Sequence, residues 1–279
     1  MDNVLILGAK GMLGGQLRKV FINSLAWDRE DIDVTDYEKL AEKIRILDPQ
    51  PSVIINCVAF NDVDGAEEKK EIAFRLNSEV PGKLAGICKN LNIPLVHFST
   101  NYVFDGLKGE YSESDIPNPL SVYAQSKYEG ELEIQKNTNQ YYIIRTAVLF
   151  GPKGESELSK KSFIDIMLDL SQKSATIKAV IDEINSTTFV SDLAAHLAIV
   201  LQKKMPYGIY HITNSGSASW YDFAAELFLI TEKNIQLIPV PSTEFPRKAR
   251  RPAKSILQNT KLPPLRPWQN ALREFITNK

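Results

Sequence analysis

A strand that runs straight into a glycine-spaced turn and then a helix leaves few folds open. Residues 3–7 (Asn-Val-Leu-Ile-Leu) are an apolar run; Gly8, Gly11 and Gly14 follow at three-residue spacing, and Gln16 to Ile22 carries an amphipathic pattern. A short, nearly unbroken apolar run fits a strand buried on both faces of a parallel sheet. Glycines at such a turn permit a tight reversal and a close backbone approach to a pyrophosphate. The helix start around Gly11, Met12, Leu13 and Gly14 would aim free N–H groups and a positive dipole end at those phosphates. A glycine pattern alone is weak evidence; its place between the first strand and the first helix favours a dinucleotide site over a glycine-rich turn with no ligand.

The chain repeats this rhythm. Ser24 to Trp27 reads as a second strand ending at Asp28, about 20 residues past the first glycine, where an acid would take a ribose 2′-hydroxyl. Arg29 beside it suits a 2′-phosphate instead, so NAD and NADP both stay open. Asp33-Val34-Thr35-Asp36 reads as a loop and helix cap, Thr35 and Glu38 having capping-box spacing. Asp33 and Val34 fit an adenine contact and fit a simple turn equally well. A helix over Tyr37–Leu47 stops at Asp48-Pro49, and Ser52–Asn56 is a buried strand. Cys57-Val58-Ala59-Phe60 is a loop that suits close cofactor approach. Helix patterns cover Glu67 to Asn90, with Asn77 interrupting an apolar face. Strand Pro94–Phe98, helix Tyr123–Gln135 and strand Tyr141–Arg145 follow. Alternating strands and helices argue an α/β fold, a doubly wound parallel sheet that binds its ligand at the carboxyl ends of its strands. Gly8–Gly14, Cys57–Phe60, Thr100 and Thr146–Gly151 all fall at such ends.

Tyr123 and Lys127 lie one helical turn apart on one face, and Thr100 ends a neighbouring strand. A phenol, an ammonium and a hydroxyl around one small volume suit proton transfer to an oxygen. A free Tyr titrates near pH 10; a nearby Lys charge favours the phenolate. Tyr-x-x-x-Lys is common by chance on amphipathic helices, and its weight here comes from the strand ends that surround it.

After Gly151 the character changes. Lys153–Lys161 is a charged loop, Phe163–Gln172 a helix, Thr176–Ile181 a strand, 182–188 a polar loop and Asp192–Gln202 a helix. Strand Ile209–Thr213 and helix Ser219–Phe228 precede a proline-rich tail. Its basic cluster, Arg247, Lys248, Arg250 and Arg251, reads as a solvated loop or as a lid on a phosphorylated substrate. The division expected is 1–151, with 181–202 returning to it, and a second lobe from 152–180 and 203–279. A net charge of -1 over 279 residues gives no reason to expect nucleic acid or an anionic membrane as partner. Cys57 and Cys88 are too few for a disulfide framework, and the three dispersed histidines show no zinc spacing, so a reduced cytoplasmic protein without a metal centre is expected. With a strand read from residue 3, no signal peptide is expected.

Ser99-Thr100-Asn101-Tyr102-Val103-Phe104-Asp105-Gly106, Arg145-Thr146 with Phe150-Gly151, Ala218-Ser219-Trp220-Tyr221 and Arg251-Pro252-x-x-Ser255, joined to the glycine pattern and the Tyr-x-x-x-Lys pair, resemble the extended short-chain dehydrogenase/reductases. Within them the chain is similar to the dTDP-4-dehydrorhamnose reductase family. The resemblance implies a Rossmann-type domain with a smaller C-terminal nucleotide-sugar lobe, NADPH or NADH as hydride donor, a homodimer, and magnesium in some members. It implies that Tyr123 protonates the alkoxide formed at C4 of the keto sugar, that Thr100 holds that oxygen, and that Lys127 lowers the Tyr123 pKa and holds the nicotinamide ribose. Asn101, Tyr102, Phe104, Val148 and Arg251 are expected on the substrate side. Asn101 stands where the family usually has Asp, Val148 where it usually has an aromatic residue flanking the sugar, and Phe60-Asn61-Asp62-Val63-Asp64 replaces a more usual Tyr/His-Thr-x-Val-Asp. Another nucleotide 4-keto-6-deoxysugar is therefore an alternative substrate. A 4-epimerase would retain its NAD tightly; a 4,6-dehydratase would carry Asp-Glu where Asn101-Tyr102 stand. A non-catalytic subunit, like the reductase-like partner of methionine adenosyltransferase, would not need Thr100, Tyr123 and Lys127.

Overall fold

A computed structural model describes residues 3–156 and 161–279, so residues 157–160 of the expected charged loop lie outside the described residues. The first half of the chain gives β1 (Val4–Leu7), α1 (Met12–Val20), β2 (Leu25–Trp27), α2 (Tyr37–Arg45), β3 (Val53–Asn56), α3 (Val63–Glu68), α4 (Lys70–Phe74), a π-helical turn at Arg75–Glu79, α5 (Val80–Leu91), β4 (Leu95–Thr100), β5 (Gly109–Tyr111) and α6 (Val122–Asn137). It continues with β6 (Tyr141–Thr146), β7 (Leu149–Phe150), α7 (Phe163–Ser171), β8 (Thr176–Val180), β9 (Ile184–Asn185), β10 (Thr188–Phe189), α8 (Val190–Gln202) and β11 (Gly208–His211). The last quarter adds β12 (Ala218–Ser219), α9 (Trp220–Ile230), β13 (Gln236–Val240), β14 (Lys254–Leu257) and α10 (Trp268–Thr277).

Six parallel strands form the main sheet in the order β11-β6-β4-β3-β1-β2. The winding direction reverses between β1 and β3, which opens a crevice at their carboxyl ends. Alternation along each strand sorts the core. Val4, Ile6, Val53 and Ile55 pack under α1 and α8, while Leu5, Leu7, Ile54 and Leu95 pack with residues of α2 and α5 on the other face. This is the doubly wound α/β sheet that the alternation of elements predicts.

Four readings are corrected. The first helix begins at Met12 rather than Gln16, because Gly11 is its N-cap residue and the glycines inside its first turns hide the amphipathic signal. Asp36, not Thr35, caps α2, its carboxylate accepting the Lys39 N–H; the Thr35 hydroxyl donates to Asp33. The 182–188 loop contains two short strands, β9 and β10. Residues 208–211, grouped with the second lobe by sequence, form an edge strand of the main sheet, His211 in register with Arg145.

A second core lies outside the sheet. Phe150, Ile164, Met167, Phe223, Leu227, Trp268 and Phe275 pack together, joining α7, α9 and α10. β8 and β13 pair in parallel beside them, and a four-stranded sheet in the order β12-β9-β14-β5 draws together segments far apart in sequence. Among the described residues no helix is long and apolar enough to cross a membrane.

Candidate active site

The glycine turn is shaped for close packing. Gly8 has φ +75°, and a Cβ on Gly14 would lie 2.2 Å from the Gly8 carbonyl oxygen. No side chain caps α1 and no acid occupies its first turn, so its N-terminus offers backbone N–H groups to an anion. Asp28, at the end of β2, accepts the Lys10 N–H at 2.9 Å and so braces the turn. Gly11, Met12, Leu13 and Gly14 form one wall of a cavity of about 420 Å³; Cys57, Val58 and Ala59 face them from the end of β3. These residues fit a dinucleotide. Asp28, Asp33 and Val34 are not among the residues that line the cavity. Asp33 is a turn acid, accepting the Thr35 N–H and hydroxyl, each at 2.8 Å.

Thr100, Tyr123 and Lys127 line the same cavity. The sequence places them there for separate reasons. Thr100 is the last residue of β4; Tyr123 and Lys127 lie on α6, which Ser121 caps by accepting the Ala124 N–H. Burial pushes the Tyr123 phenol up to about 12, against a hydrogen bond with Thr100 that pulls it down. Burial pulls the Lys127 ammonium down to about 8, against the charge of Glu131. Lys127 donates to the Phe98 carbonyl at 2.5 Å and lies 3.5 Å from His97 Nε2. In the protein alone burial dominates at Tyr123, and the Lys127 ammonium is turned toward β4.

Asn77, visible in sequence only as a polar break in an apolar face, ties this site together. Its Oδ1 accepts the Phe60 N–H, and its Nδ2 donates to the Phe60 carbonyl and to Ser126, between Tyr123 and Lys127. It lies in the π-helical turn, a distortion frequent at functional sites. Gly130 lets α6 approach that turn; a Cβ there would lie 2.0 Å from the Asn77 carbonyl oxygen.

The expected substrate residues separate. Val148 lines the cavity and holds φ +39°, a strained conformation for a β-branched residue that costs on the order of 1–3 kcal/mol. Tyr102 lies edge-on to Tyr123, ring centroids 6.3 Å apart. Phe104 is fully buried and stacks on Tyr111; it is core, because its ring turns away from the cavity under Arg145. Asn101 is also buried, its Nδ2 donating to Asn185 Oδ1 and Ser255 Oγ at 2.8 and 2.7 Å. It pins the end of β4 to the four-stranded sheet instead of facing the cavity. Arg251 grips Asp64 in a bidentate pair at 2.7 and 3.1 Å, which holds that carboxyl at about 2. Arg247 grips Glu183, and Lys248 pairs with Glu68. Three members of the basic cluster thus strap it to α3 and to the turn before β9, while Lys248 and Arg250 stay exposed to solvent. Among the described residues no group of three His, Cys, Asp or Glu side chains could hold a metal ion.

A glycine turn at the switch point, with Thr100 at the end of β4 and Tyr123 and Lys127 of α6 on the same cavity, is the arrangement of a nicotinamide-dependent reductase of the short-chain class. The family model described as RmlD substrate binding domain matches residues 1–279. A dTDP-4-dehydrorhamnose reductase of Aggregatibacter actinomycetemcomitans is 34% identical, covering 99% of this chain and 98% of its own. A probable dTDP-4,6-dihydroxy-2-methyloxan-3-one 4-ketoreductase of Streptomyces antibioticus is also 34% identical, over 97% of this chain and 93% of its own. The structure of the Bacillus anthracis dTDP-4-dehydrorhamnose reductase in complex with NADP superimposes with a TM-score of 0.93 at 30% identity, covering 100% of both chains. The chain belongs to the dTDP-4-dehydrorhamnose reductase family.

Proposed function

We propose that this chain reduces the C4 ketone of dTDP-4-dehydro-L-rhamnose to dTDP-L-rhamnose, with NADPH or NADH, in the cytoplasm. The observation that carries the reading is the convergence of Thr100, Tyr123 and Lys127 on the cavity walled by the glycine turn. Reduced nicotinamide, when bound, supplies the hydride. Thr100 and Tyr123 hold the ketone oxygen, and Tyr123 O–H gives it a proton as negative charge develops there. With its phenol raised to about 12, Tyr123 keeps that proton near neutrality until the alkoxide forms. Lys127 holds the nicotinamide ribose and resupplies positive charge near the phenol. Arg251 and its neighbours on the strap face the nucleotide diphosphate, exchanging part of their carboxylate pairing for phosphate oxygens. The segments after Gly151 other than α8 and β11 form the nucleotide-sugar lobe.

Oxidation of each coenzyme with dTDP-4-dehydro-L-rhamnose, followed by identification of the product sugar, tests this. Rapid oxidation yielding dTDP-L-rhamnose is expected; no oxidation despite bound coenzyme would overturn it. A second reading, a different nucleotide 4-keto sugar, is favoured by Val148 where an aromatic residue is usual and by the likeness to the Streptomyces antibioticus ketoreductase. A panel of 4-keto sugars separates the two.

A further inference from the structure

Behind the catalytic pair, α6 carries a third buried polar residue at the same spacing. Tyr123, Lys127 and Glu131 stand at i, i+4 and i+8, and Glu131 is 0% exposed. An unpaired carboxylate there would be untenable. It is instead satisfied on both oxygens: Oε1 accepts from Ser99 Oγ and from Arg145 Nε, and Oε2 accepts from Arg145 at 2.6 Å. Ser99 and Arg145 are register partners on β4 and β6. Ser99 itself lines the cavity, so the network reaches the site directly.

The groups around Lys127 pull its charge in opposite directions. From β4, His97 presents Nε2 at 3.5 Å. Asn56 Oδ1 accepts the Val58 N–H, which turns its Nδ2 toward His97 Nδ1 at 3.2 Å. That assignment leaves the proton of a neutral His97 on Nε2, facing the ammonium donor to donor. From the end of β3, the half-buried Cys57 thiol is neutral, desolvation pushing its pKa up. On α6, the Tyr123 phenol is neutral. From β6, the Arg145 cation stands behind Glu131 and repels. The Phe98 carbonyl and Glu131 are what favour the ammonium, and Glu131 alone among them carries a negative charge.

We propose that Glu131, fixed by Arg145 and Ser99, is a positioning residue that keeps Lys127 protonated and in place for the coenzyme and for Tyr123. This rests on the reductase reading above for its catalytic meaning, while its effect on Lys127 is open to measurement without any sugar.

The test is NADPH affinity as a function of pH, read by nicotinamide fluorescence, in the wild type, in Glu131→Gln and in Glu131→Gln/Arg145→Met. The single change strands the buried Arg145 cation and lowers the yield of folded protein; the double change removes both charges and keeps the site filled. If Lys127 loses its proton one pH unit earlier, about tenfold less ammonium is present on the alkaline side. Both variants are therefore expected to bind NADPH near wild-type strength at acid pH; at alkaline pH Glu131→Gln is expected to bind about tenfold more weakly, and the double variant, which also loses the Arg145 repulsion, to weaken by a smaller factor in the same direction. The alkaline limb of turnover should move down in parallel. A double variant that binds NADPH with the wild-type pH dependence, whether equally or uniformly weaker, would overturn the proposal and make the pair a packing device. A wild type that binds NADPH but reduces no 4-keto sugar would remove the reductase reading and leave the Lys127 result standing.

Discussion

On the sheet side of the cavity, each contributing residue stands at the end of its own strand: the glycines after β1, Cys57–Ala59 after β3, Thr100 on β4, Ala147 and Val148 after β6. On the lobe side, position is set by side chains that reach across the chain. Arg251 meets Asp64, Arg247 meets Glu183, Arg266 meets Asp192, and Asn101 meets Asn185 and Ser255. The first half draws its geometry from backbone ladders and close-packed apolar strands, which one exposed substitution scarcely disturbs. The second half packs its helices on a core of its own but pairs several strands of only two residues, and charged grips fasten its loops. On the proposed function, the strand ends would form the wall for the coenzyme and the fastened lobe the wall for the sugar nucleotide.

The largest effect should come from the lobe core. Phe223→Ala empties a buried aromatic site and should cost about 3–5 kcal/mol, read by denaturant unfolding. If the two halves differ in this way, coenzyme binding survives under conditions where the variant is still folded, while sugar turnover drops; equal loss of both would erase the distinction. Tyr123→Phe should keep coenzyme binding and lose turnover by about a hundredfold or more, the size of one general-acid contribution. Near-normal turnover in that variant would remove Tyr123 from the chemistry. Gly14→Ala forces a methyl against the Gly8 carbonyl and should cost about 1–3 kcal/mol, with coenzyme affinity falling before sugar affinity does. The smallest effect is expected at the strap. Asp64→Asn should change stability by less than about 1 kcal/mol, its pair with Arg251 being partly exposed. Because the folded Asp64 pKa is depressed, its contribution is present above the unfolded value of 3.8 and is lost as pH falls toward about 2. The variant should lack that acid-side loss in a pH series of melting temperatures, and a wild-type-like acid limb would show that the pair contributes nothing.

The same contrast separates what is legible in the amino-acid sequence from what is not. β1, β3, β4 and β6 are apolar runs set between helical patterns, and the Gly8–Gly14 turn sits where such folds put it. Thr100, Tyr123 and Lys127 can be found because strand ends and one-turn spacing are visible locally. β9, β10 and β12 are two residues long and carry no periodicity; their pairing exists only through distant partners. β13 and β14 are hidden in a proline-rich tail. α10 does carry a signal, Trp268, Ala271, Leu272 and Phe275 marking one apolar face. Phe104 and Asn101 sit inside a motif whose neighbours touch the cavity, and no pattern says which of them turn away. Glu131 is illegible for a different reason: in a helix rich in Glu and Lys, one carboxylate at full burial looks like any solvated one.

The pairing of β5 with β14 joins Gly109 to Ser255. On the ribosome, where synthesis proceeds at roughly 5–20 residues per second, β5 waits on the order of ten seconds for the strand that completes its sheet. The parallel strands that wall the cavity, and α6 with Tyr123 and Lys127, are all synthesised before that interval ends. The four-stranded sheet is a late event, and anything that stalls synthesis in the last quarter of the chain leaves β5 without the strand that completes it.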